Sequence, residues 1–335
     1  MSDDAKHGDV VAIEKCKTAY GQIVTEVGKV IVGQRDVIDD VLIALFCNAH
    51  ILLVGVPGLA KTLLISTLGK VLKLDFKRVQ FTPDLLPGDI TGSIVVDEVP
   101  STGRHEFRFV EGPVFTNLLL ADEINRTPPK TQAALLQAMQ EREVTTGRET
   151  RALPRPFLVM ATQNPLEQEG TYPLPEAQLD RFMFNTFVDY PTSDELVAIV
   201  EQTTGGDEPE AHGVMTGEEI IEIQDIVRRI PVARPVVEYT VRLSTATRPK
   251  DPSAPDFVQQ YLNWGAGPRA AQYLTLGAKA NAVLHGNTHA SIDDVKRVAR
   301  SVLRHRVSLN FNAMADKLTD VEIIDKLLKA VPAEG

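Results

Sequence analysis

A short apolar run that breaks into a loop of glycine and proline constrains the fold of this chain more than any other feature. Residues 51–54 are apolar throughout, residues 55–60 read Gly-Val-Pro-Gly-Leu-Ala, and a Lys-Thr pair then opens a helical pattern. This order predicts a buried strand, a tight loop and a helix. The N–H groups of such a loop and the N-terminus of the helix face an anion, and Lys61 adds positive charge, so the segment is expected to bind phosphate groups.

The segment matches the phosphate-binding motif G-x-x-x-x-G-K-[ST] with one departure, because Ala60 stands where the last glycine belongs. That departure leaves an ordinary strand–loop–helix turn as an alternative. In the nucleotide-binding interpretation, the hydroxyl of Thr62 would reach a Mg²⁺ ion. The Val32-Gly33 turn, which precedes the loop, would offer backbone groups to an adenine ring. The residues expected to bind the nucleotide in this region are Val32, Gly33, Gly55, Val56, Pro57, Gly58, Leu59, Ala60, Lys61, Thr62 and Leu63.

Length, charge and cysteine content narrow the class of protein. The chain has 335 residues, which is long enough for two domains that each have a core. Its formal net charge of −10 argues against binding nucleic acid along the whole surface. Residues 1–10 lack an apolar core of the signal-peptide type, and no apolar run reaches the ~20 residues that span a bilayer. Because Cys16 and Cys47 are also far apart, we expect a cytoplasmic protein without disulfides or a membrane segment.

Strand and helix patterns alternate along the chain up to about Tyr190. This alternation predicts an α/β fold, a three-layer α/β/α sandwich around a mainly parallel sheet. Residues 93–110 and 144–153 interrupt the alternation, because each has the pattern of a β-hairpin. Beyond Tyr190 no strand pattern is evident, and helical patterns follow one another, among them residues 236–246, 270–283 and 320–330. We therefore expect a nucleotide-binding domain over residues 1–190 and an all-α lid domain over residues 191–335.

Two neighbouring carboxylates end the apolar strand pattern of residues 118–121. Hydrolysis of a nucleoside triphosphate needs an acidic ligand for Mg²⁺ and a base that orients water. Asp122 and Glu123 follow a predicted strand directly, and ligands of open α/β sheets bind at such carboxyl ends. We therefore assign Asp122 to the metal and Glu123 to the attacking water. Asn164 ends a later apolar strand and would orient the same water. Two solvated carboxylates at a strand end are the alternative interpretation.

Two arginines are candidates for the positive charge that the transition state requires. Arg181 directly precedes the last predicted strand and would reach the γ-phosphate of a neighbouring subunit as an arginine finger. Arg269 follows a Gly-Pro pair at the start of a helix in the second domain and would contact the nucleotide from there. An ordinary surface arginine is the competing interpretation for Arg181. For Arg269, the nucleotide of its own subunit and that of a neighbour are both open.

Motifs along nearly the whole chain resemble those of the MoxR-type AAA+ ATPases. The resemblance rests on Val32-Gly33-Gln34 and on the segments GVPGLAKT, FTPDLLPGDITG, EGPVFTNLLLADEINR, ATQNP, PEAQLDRF and WGAGPRA, which begin at positions 55, 81, 111, 161, 175 and 264. Alanine is usual in this family at the position of Ala60. The resemblance implies that Lys61 and Thr62 belong to Walker A, Asp122 and Glu123 to Walker B, Asn164 to sensor 1, Arg181 to the arginine finger and Arg269 to sensor 2.

The same resemblance implies a function and an assembly. Proteins of this family bind ATP and Mg²⁺, form a hexameric ring and carry a hairpin inserted in the second helix, here residues 93–110. They act as chaperone-like remodelling ATPases that mature other protein complexes or load them with metal cofactors. The partners that the resemblance implies are further copies of the chain, a protein client and a protein with a von Willebrand factor A domain, whereas nucleic acid is not expected.

Two other functions are compatible with the same motifs. Arg148, Arg151 and Arg155 lie on or beside the second hairpin, where they would line the pore of a ring motor that acts on DNA. A solvated basic face is the simpler interpretation of these arginines, and the acidic net charge argues against DNA. The other function is a scaffold that binds nucleotide without hydrolysing it. That function is disfavoured because Glu123 and Arg181 are both present.

Overall fold

The computed structural model describes residues 3–99, 104–147, 149–166, 170–206 and 209–333. Two predicted features, Arg148 and the bend of the first hairpin at residues 100–103, lie outside the described residues. The helices are α1 (Asp3–Gly28), α2 (Arg35–Phe46), α3 (Lys61–Val71), α4 (Pro87–Thr91), α5 (Pro129–Glu141), α6 (Glu176–Leu179), α7 (Ser193–Thr204), α8 (Gly217–Arg229), α9 (Arg234–Ala246), α10 (Asp256–Tyr261), α11 (Pro268–Leu284), α12 (Ile292–Leu303), α13 (Phe311–Ala315) and α14 (Asp320–Ala330), with a 3₁₀ turn at Ile124–Arg126. The strands are β1 (Ile51–Val54), β2 (Phe76–Gln80), β3 (Gly92–Val99), β4 (Arg104–Glu111), β5 (Leu118–Asp122), β6 (Glu143–Thr146), β7 (Glu149–Ala152), β8 (Leu158–Gln163), β9 (Phe184–Phe187), β10 (Leu262–Trp264) and β11 (Ser308–Leu309).

Five strands form one parallel sheet in the spatial order β2-β5-β8-β1-β9. Strand β1 lies between β8 and β9, so Leu53 is opposite Thr162 on one side and Thr186 on the other. Because all five strands are parallel, their carboxyl ends lie together at one end of the sheet. The order brings together the ends of β1, β5 and β8. At these ends lie residues 55–60 (the predicted phosphate loop), Asp122 and Glu123 (the acidic pair) and Asn164. The predicted parallel sheet is confirmed.

Alternate residues of the strands pack into two cores on opposite faces of the sheet. Ile51 and Leu53 belong to a core that includes residues of α1, α2 and α3, whereas Leu52 and Val54 belong to a second core with α5. All four side chains are buried. Because helices cover both faces, a strand of this sheet has a continuous apolar sequence. The three-layer α/β/α sandwich is therefore confirmed.

Both predicted hairpins are present and pair separately from the central sheet. β3 pairs antiparallel with β4 from its first residue, Gly92, which lies opposite Glu111. β6 pairs with β7 in the same way, with Glu143 opposite Ala152. Gly92 has a φ of 93°, and a Cβ atom there would lie 2.4 Å from the carbonyl oxygen of Val110. Only glycine therefore fits at the point where the first hairpin begins.

The described chain after β9 is helical, with one correction to the predicted all-α lid. β10 and β11 form a two-stranded antiparallel sheet in which Leu262 lies opposite Leu309. These strands have three and two residues, which is too short for an alternating pattern to be recognised in the sequence. The helices predicted over residues 236–246, 270–283 and 320–330 correspond to α9, α11 and α14. None of the helices in the described ranges combines the length and the apolar composition that crossing a bilayer requires.

The C-terminal helices share a core with the first part of the chain. Buried apolar residues of α8, α9, α11 and α12 belong to the same cluster as those of α1, α2 and β9. Polar contacts cross the same boundary, since the buried Gln224 side chain of α8 donates a hydrogen bond to the carbonyl oxygen of Leu45 at 2.8 Å. The segment after α12 does the same, because Arg306 donates to the carbonyl oxygen of Met183 at 3.1 Å. The C-terminal helices therefore cover one face of the sheet and its β9 edge.

Candidate nucleotide-binding site

The loop between β1 and α3 turns sharply around the side chain of Lys61. Gly58 and Ala60 have left-handed conformations, with φ values of 87° and 54°. A Cβ atom on Gly55 would lie 2.7 Å from a carbonyl oxygen of the segment after β9, so glycine permits this close approach. The Lys61 ammonium donates hydrogen bonds to the carbonyl oxygens of Gly55 and Val56, the second at 3.0 Å. These contacts hold the head of Lys61 inside the loop.

A cavity of about 530 Å³ at the carboxyl end of the sheet brings the predicted phosphate, metal and water residues together. The predicted residues that line it are Pro57, Gly58, Leu59, Ala60, Lys61, Thr62, Leu63, Asp122, Glu123 and Asn164. Burial lowers the pKa of the Lys61 ammonium, and the negative charges of Asp122 and Glu123 oppose that shift. The two carboxylates are therefore close enough to Lys61 to raise the pKa of its ammonium group.

Side chains from neighbouring strands hold the acidic pair in place. Asp122 Oδ1 accepts a hydrogen bond from Thr162 Oγ1 at 2.6 Å, and its Oδ2 accepts one from Arg78 at 2.7 Å. Thr162 Oγ1 also accepts the backbone N–H of Glu123 at 2.8 Å. The Glu123 carboxylate accepts a hydrogen bond from Gln80 Nε2 at 2.6 Å. A hydroxyl from β8 and an amide from β2 therefore fix the two acids.

The backbone of Glu123 has an unusual conformation for a residue with a long side chain. Its φ of 56° lies in the left-handed region, directly before the 3₁₀ turn. Its carboxylate also forms an ion pair with Arg126 at 2.9 Å. Backbone outliers of this kind concentrate at functional sites, where the surrounding structure maintains them. The conformation of Glu123 is therefore one observation in favour of the predicted functional role of this residue.

Sequence analysis missed Thr162, Gln80 and Arg78, because their contacts with the acidic pair depend on the order of the strands. β5 lies between β2 and β8, and Gln80 is directly opposite Asp122 in the register. A polar residue near the end of an apolar strand was the available signal for Thr162, which lies two residues before Asn164. Asn164 itself is buried at the predicted position, and its Oδ1 accepts the backbone N–H of Leu166 at 3.1 Å.

Oxygen atoms that line this cavity are suitable ligands for Mg²⁺. The Thr62 hydroxyl and the Asp122 carboxylate both line it and supply the oxygen ligands that Mg²⁺ prefers. Among the described residues, no group of three or more His, Cys, Asp or Glu side chains is arranged to hold a metal ion. Proteins usually bind Mg²⁺ through one or two carboxylates together with substrate phosphates. The residues present therefore fit a metal ion that binds together with a nucleotide.

A more apolar cavity of about 420 Å³ adjoins the phosphate loop. The predicted residues that line it are Val32, Pro57, Gly58, Leu59, Ala60 and Leu63. Tyr190, Pro191, Leu196 and Ile199 complete the lining from the segment after β9, and sequence analysis did not identify them. Gln34 Nε2 donates to the carbonyl oxygen of Leu59 at 3.1 Å and so joins the Val32-Gly33 turn to the loop. An apolar cavity beside a phosphate-binding loop suits the base of a nucleotide.

Three of the nucleotide-binding residues predicted in the Val32-Gly33 turn and in the loop after β1 line neither cavity. Gly55 and Val56 contact Lys61 through their carbonyl oxygens, so they act on the loop rather than on its cavity. Gly33 has a φ of 70°, and a Cβ atom there would lie 2.2 Å from the carboxylate of Glu195. These glycine and valine positions shape the backbone around the two cavities.

Arg181 and Arg269 lie at the amino end of the sheet, away from the phosphate loop of the same chain. They line one cavity of about 270 Å³ together with His50, the residue directly before β1. Arg181 donates a hydrogen bond to the carbonyl oxygen of Leu136 at 2.9 Å, and Arg269 forms an ion pair with Asp180 at 3.4 Å. A strand of four to six residues separates the two ends of the sheet by roughly 13–20 Å. The structure therefore does not bring these two arginines to the cavity that contains Lys61.

Comparisons with known proteins show which family this chain resembles. Residues 50–184 match the family described as "ATPase family associated with various cellular activities (AAA)", and residues 256–327 match the AAA lid domain. The chain is 42% identical to Chaperone MoxR1 of Mycobacterium tuberculosis, over 91% of this chain and 80% of that protein. It is 40% identical to the uncharacterized protein YeaC of Bacillus subtilis, over 93% of each chain. The solved structure of a protein from Cytophaga hutchinsonii, which is 39% identical, superposes with a TM-score of 0.90 and covers 99% of both chains.

Proposed function

Because the chain belongs to the MoxR family of AAA+ ATPases, we propose that it binds ATP with Mg²⁺ at the carboxyl end of its sheet and hydrolyses it. The observation that carries the proposal is the single cavity lined by Lys61, Thr62, Asp122, Glu123 and Asn164. Transfer of a phosphoryl group to water requires three kinds of group: a cation that binds phosphate, a carboxylate that binds the metal, and a base that orients the water.

Each side chain of this cavity has a separate role in the proposed reaction. The N–H groups of the loop and Lys61 hold the β- and γ-phosphates, and Thr62 and Asp122 hold the metal. Bound there, Mg²⁺ neutralises negative charge on the phosphates. Glu123 accepts the proton of the attacking water as the new P–O bond forms and ADP departs. Asn164 keeps the same water in line with the γ-phosphate.

Arg181 and Arg269 both act on the nucleotide of a neighbouring copy in this proposal. They lie at the amino end of the sheet, whereas the phosphate loop lies at its carboxyl end. A contact that joins the amino end of one copy to the carboxyl end of the next is heterologous, and such contacts close into a ring when the rotation permits. The family resemblance implies a ring of six, with Arg181 as the arginine finger and Arg269 as sensor 2.

We further propose that hydrolysis drives the remodelling of a protein client in the cytoplasm. The relative from Mycobacterium tuberculosis is named a chaperone, and the two hairpins of this chain lie outside the central sheet, where they would contact a client. Maturation of a protein complex or loading of its metal cofactor, with a partner that has a von Willebrand factor A domain, is the specific role proposed. The boundary between a nucleotide-binding domain and a lid falls at about Tyr190 in this scheme.

The first test measures ATPase rate against protein concentration while the size distribution is followed with and without ATP. A specific activity that rises as a ring assembles supports a site completed by a neighbouring copy. A rate per chain that stays constant from monomer to ring would exclude a shared site. The same assay with single-stranded DNA separates a protein remodeller from a DNA-acting ring, because only the latter should be stimulated.

A second test replaces the proposed base. Glu123→Gln should still bind ATP, because the phosphate loop is unchanged, yet its turnover should fall by at least about 10²-fold. Binding can be measured with a fluorescent ATP analogue and turnover by phosphate release. Glu218→Gln, at an exposed glutamate in the first turn of α8, is the matched control and should retain wild-type turnover. Normal turnover by Glu123→Gln would refute the assignment.

A further inference from the structure

The cavity at the amino end of the sheet is lined by four arginines. Arg142 and Arg228 lie there beside Arg181 and Arg269. No aspartate or glutamate is among the described residues that line it. His50, which also lines it, contributes no charge at neutral pH, because burial lowers its pKa to about 4. The cavity is therefore a concentration of positive charge in a chain whose net charge is −10.

The surroundings of Arg142 in this cavity are unfavourable for its positive charge. It caps the C-terminus of α5 with a left-handed φ of 56°, and its guanidinium donates a hydrogen bond to the carbonyl oxygen of Asn48. Burial lowers the pKa of the Arg142 guanidinium, and the positive charges of Arg155 and Arg228 lower it further. Like charges placed together in this way destabilise the fold unless an anion joins them. The arrangement is therefore difficult to explain by stability alone.

Two arginines at the C-terminal end of α12, Arg300 and its C-cap Arg304, differ from those of the cavity. Arg300 forms a bidentate pair with Asp325 at 2.7 and 3.0 Å, and Arg304 pairs with Asp320 at 3.1 Å. Each of these two guanidinium groups therefore has a carboxylate partner. By contrast, within the ranges that the structure describes, no carboxylate pairs with Arg142, Arg181 or Arg228.

The volume of the cavity limits what it can hold. Pockets that enclose a whole ligand usually have a volume of about 300–1,000 Å³. At about 270 Å³ this cavity is smaller than that, so it suits the charged end of a ligand whose remainder is bound elsewhere. Arginine is the residue best suited to phosphate, because its planar guanidinium donates two parallel hydrogen bonds.

We infer that Arg142 and Arg228 join Arg181 and Arg269 in a four-arginine pocket that binds the terminal phosphates of the nucleotide held by the neighbouring copy. The inference rests on the proposed function and adds two residues to it. Arg142 comes from the end of α5 and Arg228 from the last turn of α8, so the pocket combines cations from both parts of the chain. It would also draw the negatively charged nucleotide end of one copy towards the next during assembly.

The test compares Arg142→Gln, Arg228→Gln and the control Arg234→Gln in steady-state ATPase assays over a range of ATP concentrations. Arg234 is an exposed arginine of α9 paired with Glu238, so its replacement removes one positive charge without touching the pocket. Each pocket variant should lose at least about tenfold in kcat, the effect of one charged hydrogen bond, and the control should not. ATP binding to the variant's own phosphate loop, measured with the fluorescent analogue at protein concentrations too low for a ring to assemble, should stay at the wild-type affinity.

A mixing experiment then separates a role on the neighbouring nucleotide from a role within the same chain. Glu123→Gln cannot hydrolyse its own ATP in the proposed mechanism, but it carries an intact four-arginine pocket. In random mixed rings of Glu123→Gln and Arg228→Gln, about one site in four combines an intact Glu123 with an intact neighbouring pocket, so the rate per chain should exceed the mean of the two variants measured alone. Arg228 is exposed, so this variant should fold even if Arg142→Gln does not.

The outcomes distinguish the inference from the proposed function. Wild-type kcat in Arg228→Gln, or a loss that mixing does not restore, would overturn the four-arginine pocket while the ATPase assignment stands. A wild-type protein that does not hydrolyse ATP, or a Glu123→Gln variant that does so normally, would instead refute the proposed function. Recovery on mixing, with unchanged affinity at the variant's own site, is the result that supports the pocket.

Discussion

Replacing Thr162 with valine would remove one hydroxyl from the junction of β5 and β8 while nearly keeping the shape of the side chain. That hydroxyl donates to the carboxylate of Asp122 at 2.6 Å and accepts the backbone N–H of Glu123 at 2.8 Å. Thr162 is only 1% exposed, so water cannot readily take the place of the hydroxyl. The substitution therefore leaves one buried N–H group without its partner and one carboxylate oxygen without its donor.

The size of the effect follows from these two contacts. A hydrogen bond to a charged group contributes about 1.5–3 kcal/mol, and a buried N–H group without a partner costs about 1–3 kcal/mol. Asp122 keeps a second donor, because Arg78 still binds its other oxygen at 2.7 Å. We therefore expect Thr162→Val to lower the free energy of unfolding by about 2–4 kcal/mol. A displacement of Glu123 by 1 Å would also reduce kcat by about 10²-fold.

Thr186→Val is a closely matched control for this substitution. Thr186 lies opposite the same residue of β1, Leu53, but on the other side, and its hydroxyl donates to the buried carboxylate of Asp40 at 2.8 Å. Urea denaturation should show a similar loss of stability in both variants. Only Thr162→Val should lose kcat, because Asp40 lies outside the Lys61 cavity. A Thr162→Val variant that is destabilised like the control but keeps wild-type kcat would refute the role of Thr162 in positioning the acidic pair.

Two further predictions concern buried groups at the amino end of the sheet. Burial lowers the pKa of His50 from about 6.5 in the unfolded chain to about 4, so between these pH values only the unfolded chain binds the proton. The free energy of unfolding should therefore fall by up to about 3 kcal/mol as the pH drops from 6.5 to 4, and urea titrations of His50→Gln should show a smaller dependence than wild type. Arg306 is almost completely buried, pairs with Asp180 at 2.8 Å and donates to the carbonyl oxygen of Phe182 at 2.7 Å. Arg306→Met should lower the free energy of unfolding by about 3–5 kcal/mol in urea denaturation, because it removes these buried charged hydrogen bonds and leaves Asp180 with only its longer contact to Arg269. A loss as small as that of a surface ion pair would contradict this account.

The phosphate loop and the acidic pair could be predicted because their chemistry lies in contiguous sequence. Lys61 and Thr62 follow the loop directly, and Asp122 and Glu123 end one strand, so local patterns specify both. Helix boundaries were predictable for the same reason where a cap was present. The last helix is an example, because the Thr319 hydroxyl accepts the N–H of Glu322 and α14 begins at the predicted residue.

Features that depend on the arrangement of distant segments could not be predicted in the same way. Gln80 contacts Glu123 because β2 pairs with β5, and nothing in the spacing of 43 residues indicates that pairing. Tyr190 reaches the phosphate loop because β9 lies beside β1. Arg142 and Arg228 belong to helices that sequence analysis placed in different domains, so their meeting with Arg181 follows only from the packing. Three-dimensional neighbours of this kind carry no signal in a single sequence.

In the described part of the chain, one continuous cluster of buried apolar side chains includes residues of α8, α11 and α12 and residues of α1, α2 and β9. Parting the two groups of helices would expose apolar surface at a cost of about 25 cal/mol for each Å². We expect each chain to move as one rigid body when its nucleotide changes, so that the movement occurs at the interfaces between copies. Limited proteolysis near Tyr190 should accordingly release no folded fragment, because each fragment would contain only part of the apolar core that the two share.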